Sequence, residues 1–336
     1  MKARTKILIA ILIILAIIAG FALAGWLYIK HLFNKMEYKP LDEEDLGINI
    51  TEVETKKAQI DNYTRFVIFG SDSRDENNQY YGRSDTIIVV TINNDTKHLT
   101  FISIPRDTYA DVPGYGLTKI NHAFAYGQEQ LSIKTINSNF GLDLTQYITV
   151  DFNGLIAAID RIGGVEVNLD ADELSFINLR MDAANKIEGG PGVHVLNGKQ
   201  ALVHSRNRYV GNDFARAQRQ RTIIISALNK IMKQDETEIL SIVDDLLPYV
   251  TTNMDINKYK DMFLEVAKSR TDYLKDITSV QVPSLDYGYG MMLDGIYYFG
   301  YDKDLALKDF NKYYYNIEEK QPEETPTETE TVTTQE

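Results

Sequence analysis

Residues 65–70 read RFVIFG, residues 85–92 DTIIVVTI and residues 99–105 LTFISIP. Each is a short apolar run closed by glycine, a polar stretch or proline, so each reads as a buried strand leading into a loop. Outward from these, helical spacing holds over 131–140 and 153–162, with strand-like runs at 147–150 and 165–169. Asn197 starts a short helix. Asn212 or Asp213 can cap a longer one reaching about residue 233, with Ile223, Ala227, Leu228 and Ile231 on its apolar side. Helices are expected again at 240–249, 256–268 and 305–315, and strands at 278–282 and 296–300. This alternation, without internal repeat, predicts a three-layer α/β/α domain with a central mixed sheet over residues 61–316.

Composition sets the class. The chain has 336 residues, 44% hydrophobic and 25% charged, enough apolar material for one large domain or two small ones. The formal charge of −13 is unevenly placed: from Ile317 onward there are seven Glu against one Lys, in a Thr/Glu/Pro tail (317–336) that reads as disordered. Negative charge there says nothing about a site. The absence of cysteine excludes disulfides, thiolate nucleophiles and cysteine zinc sites. His31, His98, His122, His194 and His204 show no metal-binding spacing and read as structural.

Residues 7–29, ILIAILIILAIIAGFALAGWLYI, are uncharged throughout. At about 1.5 Å per residue they span a hydrocarbon core of about 30 Å. Lys2, Arg4 and Lys6 precede the run, which puts residues 1–6 in the cytoplasm and the rest of the chain outside. The alternative is a signal peptide cleaved after Ala22-Leu23-Ala24, although the apolar run continues past that point. Either reading makes the domain extracytoplasmic. Residues 30–60 are polar and read as a stalk or an early helix that lifts the domain off the bilayer.

Charged residues gather where the strands end. GSDSR (70–74) follows the first strand and GRSDT (82–86) precedes the second. SIPRD (103–107) follows the third; HSRNR (204–208) and NDFARAQRQR (212–221) lie at helix ends. In alternating α/β sheets ligands sit where loops leave strand ends. Any one segment could be an ordinary solvated loop. An acidic chain that gathers Arg74, Arg83, Arg106, Arg206, Arg208, Arg216, Arg219 and Arg221 must offset their repulsion, and guanidinium groups binding a phosphate chain do so. Arg216 and Gln220 share one helix face near an N-terminus, where the dipole also favours an anion. Asp72 and Asp85 are candidate ligands for Mg2+, since carboxylate oxygens without histidine or cysteine favour it; both also suit salt bridges to Arg74 and Arg83. No Walker-type loop is present.

These segments resemble the LytR-CpsA-Psr family of cell-wall assembly proteins, from about residue 66 to 225. The matching stretches are GSDSR (70–74), GRSDTIIVV (82–90), SIPRDTY (103–109), PGYGLTKINHAFAYG (113–127), VDFNGLIAAIDRIGGVEV (150–167), LNGKQALVHSRNR (196–208) and NDFARAQRQR (212–221). The last usually begins Gly-Asp and here begins Asn212-Asp213. The resemblance implies a phosphotransferase that moves an anionic glycopolymer, such as wall teichoic acid or capsular polysaccharide, from a polyprenyl diphosphate carrier to peptidoglycan. It implies magnesium on Asp72 and Asp85, and diphosphate on Arg83, Arg106, Arg206, Arg208, Arg216 and Gln220. Arg83 and Arg106 then act in catalysis, and Asp213 and Asp107 are candidates for the base. Lys119 and Asn121 shape the pocket edge. Two other readings stand beside this one: a polyprenyl diphosphate hydrolase on the same site, and a non-catalytic membrane regulator. The six residues before the apolar run leave no cytoplasmic domain for DNA, so the expected partners are the lipid-linked donor, peptidoglycan and the bilayer, without nucleic acid.

Overall fold

In the computed structural model, which describes residues 35–317 apart from 58–61, 72–81, 208, 211–212, 256–257, 260–264, 267 and 270–271, the three apolar runs lie side by side in one seven-stranded sheet. They form β2 (Tyr63–Ser71), β3 (Ser84–Asn93) and β4 (Leu99–Ser103), each antiparallel to the next. On the far side of β2, β7 (Tyr147–Asp151) runs parallel to it, followed by the antiparallel β10 (Val250–Thr252). Two parallel edge strands, β1 (Glu37–Tyr38) on β10 and β11 (Ile277–Gln281) on β4, complete a mixed sheet with flanking helices.

Alternation along the strands supplies both faces of the sheet. Val67, Phe69, Ile87, Val89 and Tyr147 turn to one face, against Phe124, Ile133 and Phe140 of α2 (His122–Phe140) and Phe310 of α8 (Lys303–Tyr313). Ile68, Ile88, Val90 and Phe101 turn to the other, against Ile224 and Leu228 of α6 (Asp213–Met232). The expected strand at 165–169 forms as β8 (Val165–Leu169). It pairs with β9 (Gly192–Leu196) in a separate two-stranded sheet, outside the central one. Its inward residues share a satellite core with Ile159 of α3 (Phe152–Arg161), Leu174 and Ile177 of α4 (Ala171–Asn178), Ala201 of α5 (Gly198–Ser205), and Ile223.

Local chemistry sets the helices that matter for the site. The Asp151 carboxylate accepts from the Gly154 amide at 2.8 Å and starts α3 directly where β7 ends. Asn197 and Gln200 form a reciprocal capping box that starts α5 where the sequence places it. Gly198 lets α5 rest on α3: a Cβ there would stand 2.4 Å from the Ile156 carbonyl oxygen. α7 (Glu236–Leu246) begins with Asp235 as its cap.

The described part of the polar segment, residues 35–57, lies on the domain. β1 joins the sheet edge, Leu46 enters the main core, and the Lys39 carbonyl accepts from the Tyr147 hydroxyl at 2.9 Å. α1 (Ile50–Lys57) is the early helix. The apolar run at 7–29, the tail at 318–336 and most of the helix expected at 256–268 lie outside the described residues. Among the described residues no helix is long and apolar enough to cross a membrane.

Candidate functional site

Between the second face of the sheet and the helices α3 and α6 the packing leaves a cavity of about 340 Å³, within the usual range for a ligand pocket. Its walls are mostly aliphatic, with Phe69 and Phe152 beside them. The sheet contributes Ile68, Ile148 and Val150; α3 contributes Leu155, Ala158 and Ile159; α6 contributes Ile223, Ile224, Ala227, Leu228 and Ile231. Because α6 rises about 1.5 Å per residue, the lining from Arg216 to Ile231 runs about 22 Å along it. The cavity is therefore elongated.

One end differs in chemistry. There Asp85, Thr86, Asp151, Ser205, Arg206, Arg216 and Gln220 join the lining. Each is placed by the end of an element: Asp85 and Thr86 open β3, Asp151 closes β7, Ser205 closes α5, Arg206 is its C-cap, and Arg216 and Gln220 occupy the first turns of α6. Gly70, closing β2, also lines the wall, and a Cβ on it would meet the Thr86 side chain at 2.8 Å. Arg216 and Gln220 sit where the backbone dipole of α6 is positive, so they and the helix end favour an anion together.

Arg106, in the loop after β4, reaches this end by donating from Nη1 to the Asp85 carboxylate at 2.7 Å. Its Nε donates to Asp107 at 3.3 Å, and Lys119 ion-pairs with the same Asp107 at 2.6 Å. Asp107 is only 4% exposed. A carboxylate so deeply buried between two cations is a structural counter-ion first, which argues against it as a base. Lys119, expected at the pocket edge, is not among the residues lining the cavity; its pair with Asp107 joins it to Arg106. Next to it, burial and then the charges of Arg83 and Lys119 hold the His122 imidazole below its ordinary value. Nδ1 of that ring lies 2.8 Å from the Thr118 hydroxyl.

The sequence-derived residues are thus sorted. Asp85, Arg206, Arg216 and Gln220 line one cavity, and Arg106 is ion-paired to Asp85. Arg83 is exposed just ahead of β3. Arg206 lays its guanidinium over the Phe152 ring, 4.6 Å from its centroid, fixing the guanidinium plane at the mouth. Asp72, Ser73, Arg74 and Arg208 lie outside the described residues, as does the side chain of Asp213, whose backbone opens α6. Arg219 supports the site from outside it. Its guanidinium donates to Glu173 at 2.6 Å and to the Asn207 and Val210 carbonyls, holding those two residues from beneath. Arg221 does not line the cavity, and burial alone pulls its guanidinium down from its usual value.

Two contributors escaped the sequence reading. Asn207 is fully buried and its side-chain oxygen accepts from the Tyr209 and Val210 amides, making the turn that presents the arginine loop. The other is the apolar wall itself. Isoleucine and leucine at helical spacing on α6 are the same signal whether they meet a core or a cavity. Among the described residues no cluster of three or more His, Asp or Glu side chains could hold a metal by protein ligands alone.

The family model for LytR-CpsA-Psr matches residues 29–314. The chain belongs to the LytR-CpsA-Psr family. A relative from Enterococcus faecalis, the polyisoprenyl-teichoic acid–peptidoglycan teichoic acid transferase TagU, is 32% identical over 293 residues, covering 85% of this chain and 91% of the relative. The crystal structure of protein gbs0355 from Streptococcus agalactiae shares 26% identity with a TM-score of 0.65, covering 81% of this chain and 92% of that one. LytR-CPS2A-psr protein YwtF (TagT), solved with bound octaprenyl pyrophosphate lipid, has the same fold at 22% identity and a TM-score of 0.56, covering 76% and 91%. Five of the seven sequence stretches contribute residues to the cavity lining, and Arg106 of a sixth is ion-paired to Asp85 there.

Proposed function

We propose that this protein transfers a glycopolymer from a polyprenyl diphosphate carrier to peptidoglycan, with the prenyl chain in the aliphatic cavity and the diphosphate at its polar end. The observation that carries this reading is the shape of the lining: aliphatic along α3 and α6, ending at Arg206, Arg216, Gln220 and Asp85. Such a cavity suits an amphiphile with a long apolar tail and a compact anionic head. Moving a prenyl tail from a bilayer into this cavity exchanges one apolar medium for another, so the tail gives fit with little net pull. Affinity then comes from the head, where guanidinium groups with fixed planes meet phosphate oxygens bidentately.

In this reading Arg206, Arg208, Arg216 and Gln220 bind the diphosphate, and Arg83 and Arg106 stabilise charge as it develops during transfer. A muramic acid hydroxyl attacks the sugar-side phosphorus in line. The new P–O bond forms as the bond to the bridging oxygen breaks, and the electron pair leaves on polyprenyl phosphate. Phosphoryl transfer of this kind needs positioning and charge neutralisation above all. The hydroxyl proton passes to a carboxylate, for which Asp213 at the start of α6 is the assignment. The two cationic partners of Asp107 favour a structural role for it instead.

Asp85, at the cavity mouth, and Asp72 would hold magnesium through hard carboxylate oxygens, and an ion with few protein ligands would complete its shell with water and phosphate oxygens. Bound there, it would withdraw charge from the diphosphate. The 7–29 stretch, read as a single cytoplasm-to-outside span, places the domain on the membrane that holds the donor.

Reconstitution of the full chain in vesicles carrying a lipid-linked glycan, with and without peptidoglycan strands, tests the function. The expected result is polymer joined to peptidoglycan and one polyprenyl phosphate released per transfer. Release of polyprenyl phosphate at the same rate without acceptor would instead identify a hydrolase.

A further inference from the structure

We infer that the hairpin of β12 (Gly288–Leu293) and β13 (Ile296–Tyr301) is a second membrane contact, which, with the N-terminal anchor, holds the polar mouth of the cavity against the bilayer surface. The inference rests on the anchored, lipid-using reading above and adds a surface to it.

Strand register locates three features at one end of the sheet. β2 and β7 run in parallel with Ser71 opposite Asp151, so their C-terminal ends define the site end. Ser84, opening β3 beside Ser71, lies at that end, and β4 leads back to it towards Arg106. β1 pairs in parallel with β10, which is antiparallel to β7; Glu37 stands level with Thr251 and hence with Thr149. β1 therefore begins at the site end, and Lys35 just before it is ion-paired to Asp244 of α7. β11 runs parallel to β4, with Gln281 opposite Ser103, and delivers the chain to the hairpin at the same end. Phe299 of β13 confirms this: its amide donates to the Asp107 carbonyl at 2.8 Å, and its ring packs edge-on against Phe214 in the first turn of α6, at 4.7 Å.

β1, which follows the anchor in the chain, and β11, which leads to the hairpin, are the two edge strands of the sheet. Six strand spacings of about 4.8 Å separate β1 from β11, or about 29 Å, with the cavity mouth between them. Two separate contacts at the site end fix the orientation of the mouth in a way a single span cannot.

The surface of the hairpin matches a bilayer interface. Leu285, Tyr289, Met292, Leu293 and Ile296 are all exposed, from 41% to 62%. Between Gly288 and Tyr301 the one charged residue is Asp294, in the turn. Two tyrosines in the same stretch, Tyr289 and Tyr297, are exposed and have the amphipathic rings that settle at headgroup depth, while Tyr298 and Tyr301 pack inward. The lack of basic residues assigns the contact to shallow apolar insertion and not to attraction by anionic lipid.

The chain has no cysteine, so a single introduced thiol reports one site. Full-length Leu293→Cys and Met292→Cys, each carrying a fluorophore, are placed in phosphatidylcholine vesicles with or without brominated acyl chains. Asp95→Cys, in the exposed turn after β3 at the opposite end of the sheet, is the reference. Quenching several-fold stronger at 292 and 293 than at 95 is the expected result. Equal quenching at all three sites overturns the inference, including the case in which the hairpin docks on another protein or a second copy. Transfer assayed in the same vesicles separates the readings: equal quenching with transfer intact removes the membrane contact alone, while strong quenching without transfer retains the contact and removes the proposed activity.

Discussion

Arg216 is 4% exposed yet lines the cavity mouth, so its guanidinium is both desolvated and fixed in orientation. Charge alone does not reproduce that. Arg216→Lys keeps the cation and loses the planar fork, and transfer should fall by about 10²-fold or more, the scale for losing one aligned donor in a phosphoryl site, with the melting temperature nearly unchanged. Arg106→Ala should also abolish transfer with the fold retained, measured as polymer attached per unit time. A different residue governs pH behaviour. His204, on α5 two positions before Arg206, is buried, and desolvation pushes its imidazole down to about 4 against an opposing pull from Glu173. The unfolded chain thus takes up a proton near pH 6.5 that the folded chain refuses until about pH 4. Stability is full above the higher value and declines as pH falls between the two, by about 2 kcal/mol at pH 5. Denaturant titrations at pH 7 and pH 5 should show that loss in the wild type and a much smaller one in His204→Leu.

At the scale of elements, α6 does two jobs on one face. Its first turns carry Arg216 and Gln220; the turns that follow carry Ile223, Ile224, Ala227, Leu228 and Ile231 along the cavity. Ala227→Phe fills the middle of the cavity without touching the mouth. Turnover of a long-prenyl donor should fall at least tenfold, that of a donor with one or two isoprene units should be unchanged, and the melting temperature should hold or rise, because filling an existing space adds contacts. Equal losses for both donors would place the tail elsewhere. Much of this architecture is legible in the sequence. β2, β3 and β4 declare themselves as apolar runs with sharp ends, and the Asn197 cap and the arginine-rich start of α6 fall where expected. The hairpin β5 (Tyr109–Val112) with β6 (Gly116–Lys119), and likewise β8–β9 and β12–β13, escape that reading in whole or part. Four-residue strands broken by glycine give too little periodicity, and pairing in small separate sheets leaves no trace in local sequence. The cavity is invisible for a different reason: hydrophobic spacing records that a face is apolar, not what it meets.

Across the whole molecule, chemistry and architecture converge at one end of the sheet. Element ends from five segments between Gly70 and Gln220 meet there, with Arg106 joined to them through Asp85, although they are spread over about 150 positions of the chain. That convergence is why the arginines look dispersed in sequence and yet share a site. The charge of −13 does not stand against the proposed anion: the tail beyond Ile317 carries seven of the chain's glutamates, while the cavity mouth combines Arg206, Arg216 and the positive end of α6 with Asp151 and an Asp85 that is paired to Arg106. The most direct measurement of the central claim is mass analysis of lipid retained by the full-length protein after mild detergent extraction, with Arg216→Ala prepared in parallel. A polyprenyl diphosphate-linked glycan held by the wild type and depleted in the variant is the expected result. Recovery of only ordinary phospholipid, in equal amounts from both, would contradict it.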